Sequence, residues 1–164
     1  MSILRLLLDA AVWSPRRQDT GRQNKGRSRG LSLFVLQAGG CDGCASEFDT
    51  LRYGVFGGEG DAIRFVDTPC DADLLLVTGC LTRPMVAWVH EIWQAMPNPK
   101  GLALVGACAL GEWPFLSDYA VNGGSAEDAF DGMIRCDMSL RGCPPAPEEI
   151  LHALRRLAAG QVVS

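Results

Sequence analysis

The chain has 164 residues, of which 48% are apolar and 21% are charged, the balance of an ordinary globular domain. Its formal net charge of −4 argues against a general nucleic-acid binder, because such proteins neutralise phosphates with an excess of lysine and arginine. No apolar run reaches the ~20 residues that a membrane-spanning helix needs. The cysteines number seven, so they cannot all pair with one another as disulfides.

The charge differs between two regions of the chain. Residues 1–30 carry seven basic and two acidic side chains, whereas residues 31–164 carry eight basic and seventeen acidic ones. We therefore divide the chain into a basic N-terminal arm, 1–30, and a body, 31–164. The arm opens with an apolar stretch, Met1–Trp13, for which we predict a short helix. Two positions are open for this helix: on a membrane surface or in a partner's groove, or packed on its own domain.

The body alternates short apolar segments with segments of helical periodicity. We predict strands at five of the apolar segments, namely Leu31–Gln37, Ile63–Val66, Asp73–Thr78, Leu102–Val105 and Ile134–Leu140. We predict helices at three segments, Cys44–Val55, Pro84–Met96 and Pro147–Ala159. Strands that are apolar on both faces and alternate with helices are typical of the α/β class, in which helices cover both faces of a mostly parallel sheet.

Most of the cysteines follow predicted strands. Cys41 and Cys44 follow the first strand, and Cys80, Cys108 and Cys143 follow three later ones. Ligands of an open α/β sheet bind beyond the carboxyl ends of its strands. We therefore expect these distant cysteines to gather at one edge of the sheet. Four thiolates that converge there can hold zinc or an iron–sulfur cluster.

Four of the seven cysteines lie in three ordered motifs, each containing glycine. They read Cys41-Asp-Gly-Cys44-Ala-Ser-Glu47, Val105-Gly-Ala-Cys108 and Arg141-Gly-Cys143-Pro-Pro. This ordered set resembles the small-subunit family shared by energy-converting [NiFe] hydrogenases and respiratory complex I. The resemblance extends over about Leu31–Ala159 and departs from the family at Arg141, where the family usually has proline.

The resemblance implies a fold and a cofactor. The implied fold is a flavodoxin-like three-layer α/β sandwich with a mostly parallel sheet. The implied cofactor is one [4Fe–4S] cluster, for which thiolates are suitable ligands because soft sulfur matches iron. The implied ligands are Cys41, Cys44, Cys108 and Cys143.

The resemblance also implies partners and a place in the cell. The expected function is electron transfer beside the [NiFe] site of a large subunit, within a membrane-bound hydrogenase related to complex I. A ferredoxin-like iron–sulfur subunit and an integral membrane subunit complete the implied assembly. This chain would then lie peripherally on the cytoplasmic side of the inner (cell) membrane, and the hydrogen chemistry would belong to the large subunit.

Two other functions remain open. Complex I subunits of this family carry adjacent cysteines at the first pair, so the C-x-x-C spacing of Cys41 and Cys44 favours the hydrogenase branch, of the formate hydrogenlyase or carbon-monoxide-linked type. The first alternative is nevertheless a quinone-reducing complex I-type subunit with the terminal [4Fe–4S] cluster. The second, from another class, is a zinc-stabilised or cluster-free assembly module.

Four further residues, Glu47 and three cysteines outside the motifs, are interpreted separately. Glu47 either relays protons or contacts the large subunit, as the resemblance implies, or it is an acid that interacts with the dipole of the helix's first turn. Cys80 is a spare or replacement ligand, or an inert thiol. Cys136 lies seven residues before Cys143, which makes it a rival fourth ligand. Otherwise we expect Cys70 and Cys136 to be buried and to pack like small apolar residues.

Overall fold

The computed structural model describes residues 30–53, 63–112, 120–121, 124–126, 130 and 134–161. The predicted arm, except for Gly30, lies outside these residues, and so does its predicted helix. The strands of the described part form one parallel sheet in the order β2-β1-β3-β4-β5. They are β1 Leu31–Gly39, β2 Ile63–Phe65, β3 Leu74–Gly79, β4 Gly101–Val105 and β5 Met138–Leu140. This strand order is that of the flavodoxin-like sheets, which confirms the predicted fold.

Helices cover both faces of the sheet. In the described ranges they are α1 Gly43–Tyr53, α2 Arg83–Ala95 and α3 Pro147–Ala158, with a short 3₁₀ helix at Pro69–Asp71. The helix α3 begins at Pro147, whose missing N–H costs nothing in a first turn. The carboxylate of Glu149 accepts a hydrogen bond of 3.2 Å from the backbone N–H of Ala146, just before the helix.

Two apolar cores lie on opposite faces of the sheet. The first core contains Phe48 and Leu51 of α1 together with Ile150 and Leu154 of α3. The second contains Val89 of α2 and the buried ring of Phe130. The central strand β3 contributes to both cores and is buried along its whole length. Such burial on both faces explains its uninterrupted apolar sequence.

The predicted strand Ile134–Leu140 was too long. Only Met138–Leu140 pairs with β4, from Ala103 to Val105. Ile134 and Cys136 instead pack against the second core, so apolar side chains before β5 are explained by core packing and not by strand pairing. As a consequence, Cys136 comes before the amino end of β5, whereas Cys143 comes after its carboxyl end.

The carboxyl ends of β1 and β3 approach each other very closely. A Cβ atom placed on Gly79 would lie 1.9 Å from the carbonyl oxygen of Gly39, and the φ of Gly79 is +78°. Only glycine fits this position, because any other residue would both clash with backbone and adopt a left-handed conformation. The pairing register shifts here, between Gln37 and Gly39. The ends of β1 and β3 therefore pack backbone against backbone at Gly39 and Gly79, just before the loops that follow these strands.

Candidate metal centre

The four cysteines of the motifs lie at the carboxyl edge of the sheet. Cys41 and Cys44 flank the start of α1, directly after β1, while Cys108 follows β4 and Cys143 follows β5. The last two loops run side by side, because the hydrogen-bond ladder continues beyond β4 and β5. The N–H of Gly106 donates to the carbonyl of Leu140, and the N–H of Ala107 donates to the carbonyl of Gly142, both at 2.8 Å.

Close packing joins the C-x-x-C loop to the two later loops. A Cβ atom on Gly106 would lie 2.8 Å from the Sγ of Cys44, and the φ of Gly106 is +96°. A Cβ atom on Gly43 would lie 3.4 Å from the Sγ of Cys41 and 3.6 Å from the ring of Pro144. A side chain at position 106 would therefore displace the Cys44 thiol from the loop that leads to Cys108.

The thiols differ in burial and act on one another electrostatically. Cys41 and Cys143 are exposed, Cys44 is half-buried and Cys108 is buried. Burial is the main cause that raises the pKa of Cys44, and the thiolates of Cys41 and Cys143 raise it further. Burial also raises the pKa of Cys108 to about 11, with additional contributions from Cys143, Cys80, Cys44 and Cys41. The neighbouring thiolates thus make Cys44 and Cys108 harder to ionise, which is the effect of like charges held close together.

Within the described ranges, no three His, Cys, Asp or Glu side chains lie close enough to hold a single metal ion. The four thiols instead lie within electrostatic range of one another, around glycine turns that have no Cβ. A donor set made of soft sulfur suits thiophilic metals and iron–sulfur clusters rather than Mg²⁺ or Ca²⁺. A bound cation would also relieve the repulsion among the thiolates. The residues present therefore fit an iron–sulfur group.

Glu47 lies one helical turn after Cys44 on α1. Its side chain is half-buried, and its negative charge is one of the causes that raise the pKa of Cys44. The carboxylate therefore acts electrostatically on a candidate ligand. Its role in proton transfer stays a prediction.

The remaining cysteines fall into three situations. Cys80 directly follows β3, is half-buried and acts electrostatically on Cys108, so it belongs to the same edge of the sheet. Cys136 lies before β5, and its thiol donates a hydrogen bond of 2.9 Å to the carbonyl of Met138. Because Cys136 is half-buried at the opposite end of the strand from Cys143, the rival-ligand hypothesis for it was wrong. The prediction for Cys70 was also wrong, since this thiol is exposed on the 3₁₀ helix.

The sequence reasoning missed the part that Gly79 plays in the site. Its contact with Gly39 brings together the ends of β1 and β3, the strands that lead to Cys41 and Cys80. The available signal was a glycine at the end of an apolar strand, which often marks a close backbone approach. The ion pair between Arg141 and Glu112, with 2.8 Å between Nε and Oε1, was likewise not anticipated, because a contact between such distant positions of the chain leaves no local pattern.

Fold and site together define a class of protein: a flavodoxin-like α/β domain with cysteine thiols at the carboxyl edge of a parallel sheet. The family model of the NADH ubiquinone oxidoreductase 20 kDa subunit matches residues 41–157. The chain belongs to this family, and the recognition from its cysteine motifs is confirmed. The match begins at Cys41, so it contains the whole set of motif cysteines.

Relatives from both branches of the family are similar to the chain. Formate hydrogenlyase subunit 7 of Escherichia coli strain K12 is 34% identical over 124 residues, which are 76% of this chain and 47% of that protein. An NADH-quinone oxidoreductase subunit of Heliobacterium modesticaldum is 34% identical over 139 residues, 80% of this chain and 73% of that protein. The chain thus spans about half of the first relative and about three quarters of the second.

A solved structure shares the fold. A chain of the membrane-bound sulfane sulfur reductase, an archaeal respiratory membrane complex, superposes with a TM-score of 0.64 at 23% identity, covering 81% of this chain and 71% of that one. The chain is therefore a subunit of the complex I 20 kDa or membrane-bound hydrogenase type, whose relatives belong to oxidoreductase complexes. In the part of the chain that the structure describes, no helix is both long and apolar enough to cross a membrane.

Proposed function

We propose that the chain is the electron-transfer subunit of a membrane-bound, complex I-related [NiFe] hydrogenase and that it carries one [4Fe–4S] cluster. The proposed ligands are Cys41, Cys44, Cys108 and Cys143. The observation that supports the proposal most strongly is the position of these thiols, which come from loops after three different strands and lie at one edge of the sheet. When bound, the cluster would accept and release one electron at a time.

The chain's own residues would hold and tune this group. Gly106 leaves room for the Cys44 thiol, and its N–H fixes the loop after β4 against the loop after β5. The buried thiol of Cys108 must lose its proton before it can bind iron, so loading releases protons and becomes easier as the pH rises. Gly39 and Gly79 pack so closely that no side chain fits between the ends of β1 and β3, and this packing holds together two of the strands that lead into the cysteine loops.

The proposed partners follow from the hydrogenase branch. They are a large subunit with the nickel–iron centre, a ferredoxin-like iron–sulfur subunit and an integral membrane subunit. The chain would lie peripherally on the cytoplasmic side of the cell membrane. The C-x-x-C spacing of Cys41 and Cys44 and the similarity to formate hydrogenlyase subunit 7 support this branch.

A quinone-reducing complex I-type subunit is the second candidate function. It is favoured by the matching family model and by the similarity to the NADH-quinone oxidoreductase subunit. Metal analysis of the native complex, purified through a tag on this chain, separates the two candidates. Nickel that copurifies in equal amount with the chain supports the hydrogenase, whereas a nickel-free complex that reduces quinone supports the alternative.

Metal analysis of the purified chain itself tests the cluster. The full chain, prepared without oxygen, is expected to contain about four iron and four sulfide per molecule and to absorb broadly near ~400 nm. The reduced protein should give the electron paramagnetic resonance signal of a single cluster. One zinc per chain without iron would contradict the proposal and would establish the zinc-stabilised module instead.

The proposed proton relay at Glu47 has its own test. Substitution Glu47→Gln keeps the shape of the side chain and removes its charge, so we expect hydrogen turnover by the complex to fall roughly tenfold and its pH profile to change. Asp49→Asn, at an exposed position of the same helix, is the matched control and should behave like the wild type. Unchanged turnover and an unchanged pH profile in Glu47→Gln would exclude the relay.

A further inference from the structure

Cys80 is the one cysteine at the carboxyl edge of the described sheet that the proposed ligand set does not use. It is the first residue after β3, the strand that lies between β1 and β4 in the sheet. The loops on either side of it carry Cys41 and Cys108, because these follow β1 and β4. Adjacent strands of a sheet lie about 4.8 Å apart, so the topology alone brings Cys80 between two proposed ligands.

The pairing register makes this position more specific. Gly39 of β1 pairs with Gly79, so Cys80 comes level with Gly40, the residue before Cys41. The two backbones approach closely here, since a Cβ atom on Gly40 would lie 3.9 Å from the backbone nitrogen of Cys80. On the other side Thr78 pairs with Val105. This pairing ends two residues before Cys80 and three residues before Cys108.

The side chain of Cys80 lies against the end of β1. Its Sγ lies 3.9 Å from the position that a Cβ atom on Gly39 would occupy, and the thiol is half-buried. Its charge is also one of the lesser causes that raise the pKa of Cys108. Cys80 therefore lies between the loops that carry Cys41 and Cys108, at the same edge of the sheet.

We propose that Cys80 is a reserve ligand of the site, placed to bind the iron–sulfur cluster in place of Cys108; this inference depends on the cluster proposed above. In the exchange, the Cys80 thiol gives its proton to solvent and binds iron as a thiolate. The Cys108 thiolate leaves the iron and takes up a proton. The number of iron–sulfur bonds and the oxidation states are unchanged.

Iron binding by cysteine variants of the full chain tests the proposal. The chain is loaded with ferrous iron and sulfide without oxygen, and iron and sulfide per molecule are measured together with the resonance spectrum of the reduced cluster. We expect Cys108→Ala to keep about half or more of the wild-type iron, with a shifted spectrum because a thiolate from a different loop now binds. The double variant Cys80→Ala/Cys108→Ala should contain roughly tenfold less iron per molecule than the wild type.

Two matched controls separate reserve ligation from a general effect of losing a thiol. Cys44→Ala has no reserve neighbour among the described residues and should lose iron as severely as the double variant. Cys108→Ala/Cys136→Ala removes a thiol that is hydrogen-bonded to Met138 at the other end of β5, so it should retain as much iron as Cys108→Ala. Circular dichroism confirms that each variant folds, and Cys108→Ser replaces Cys108→Ala in every comparison if the alanine variant unfolds.

The possible outcomes distinguish failure of the reserve-ligand proposal from failure of the cluster proposal itself. Equal iron contents in Cys108→Ala and Cys80→Ala/Cys108→Ala, with a loaded wild type, would overturn the reserve ligand and leave the proposed function intact. An equally large loss on removal of Cys136 would overturn it as well. A wild type that binds no iron would overturn the proposed function itself, and with it this inference.

Discussion

The two edges of the parallel sheet are built on opposite principles. At the amino edge, side-chain carboxylates complete the hydrogen bonding of the strand starts. An oxygen of Asp73 accepts from the N–H of Ser32 at 3.2 Å, and one of Asp137 accepts from the N–H of Leu102 at 2.9 Å. At the carboxyl edge, glycine turns bring together thiols, and burial together with the neighbouring thiolates raises the pKa of Cys44 and of Cys108.

This difference indicates that the two edges have different roles, one in the stability of the fold and the other in binding. The amino edge satisfies these polar groups with the chain's own residues, so they need no ligand. The carboxyl edge concentrates groups that repel one another once they ionise, an arrangement that becomes favourable when a cation or cluster binds the thiolates. The fold therefore obtains rigidity at one edge and holds a binding site at the other.

The contact between Gly39 and Gly79 at the carboxyl edge provides the largest expected effect on stability. Gly79→Ala places a Cβ atom 1.9 Å from the carbonyl oxygen of Gly39, so we expect the free energy of unfolding to fall by more than ~3 kcal/mol, or the chain not to fold. The matched control is Gly160→Ala. Gly160 has almost the same φ, +80° against +78°, but nothing lies within 4 Å of its Cβ position. Gly160→Ala should lower the free energy of unfolding by about 1–2 kcal/mol, from backbone strain alone. Urea unfolding followed by circular dichroism measures both, and similar losses would show that the strand ends are not packed as described.

The buried thiol of Cys108 provides the next effect, in the reduced, metal-free chain. Since its pKa is about 11 against an ordinary value of 9.0, we expect iodoacetamide to modify it on the order of a hundredfold more slowly at pH 8 than an ordinary thiol. The rate should rise about tenfold per pH unit up to about pH 11. Mass spectrometry of peptides measures the rate, with the exposed thiol of Cys70 as internal reference.

The same raised pKa predicts how stability depends on pH. The unfolded chain releases the Cys108 proton at a lower pH than the folded chain does, so the contribution of this thiol is present below pH 9.0 and is lost as the pH rises to about 11. A rate for Cys108 that levels off at pH 9, as an ordinary thiol's would, contradicts both expectations. It would leave the carboxyl edge without the repulsion that distinguishes it from the amino edge.

Asp137 tests the amino edge. Asp137→Ala removes the acceptor of the Leu102 N–H, so we expect the free energy of unfolding to fall by about 1–3 kcal/mol, the cost of a buried donor without a partner. The iron content of the loaded chain should stay unchanged, because Asp137 precedes β5 and the thiols follow their strands. Asp49→Ala, at an exposed position of α1, serves as control and should change the stability by less than ~0.5 kcal/mol. Loss of iron in Asp137→Ala at normal stability would contradict the separation of the two edges.

The sequence was sufficient to predict the fold class and the shared edge of the thiols for a simple reason. Strands that alternate with helices run parallel, and parallel strands all end on the same side. Cys41, Cys108 and Cys143 therefore converge by topology alone. The limits of the strands and the contact between Gly39 and Gly79 could not be predicted from the sequence, because both depend on which residues of distant strands pair. The hypothesis for Cys136 was wrong because it rested on nearness to Cys143 in the sequence, whereas β5 separates the two residues and places them at its opposite ends.

The ion pair between Arg141 and Glu112 provides the smallest expected effect. It joins the loop before Cys143 to the turn after Cys108, with 2.8 Å between Nε and Oε1, but the two side chains are 80% and 39% exposed. In a double-mutant cycle of Arg141→Ala and Glu112→Ala, we expect a coupling energy below ~1 kcal/mol that disappears at high salt. Urea unfolding of the four metal-free proteins measures it. A coupling above ~2 kcal/mol that persists in salt would mean that the carboxyl edge has a charge clamp of its own. The contrast with the amino edge would then be weaker, since both edges would be held by the chain itself before any cluster binds.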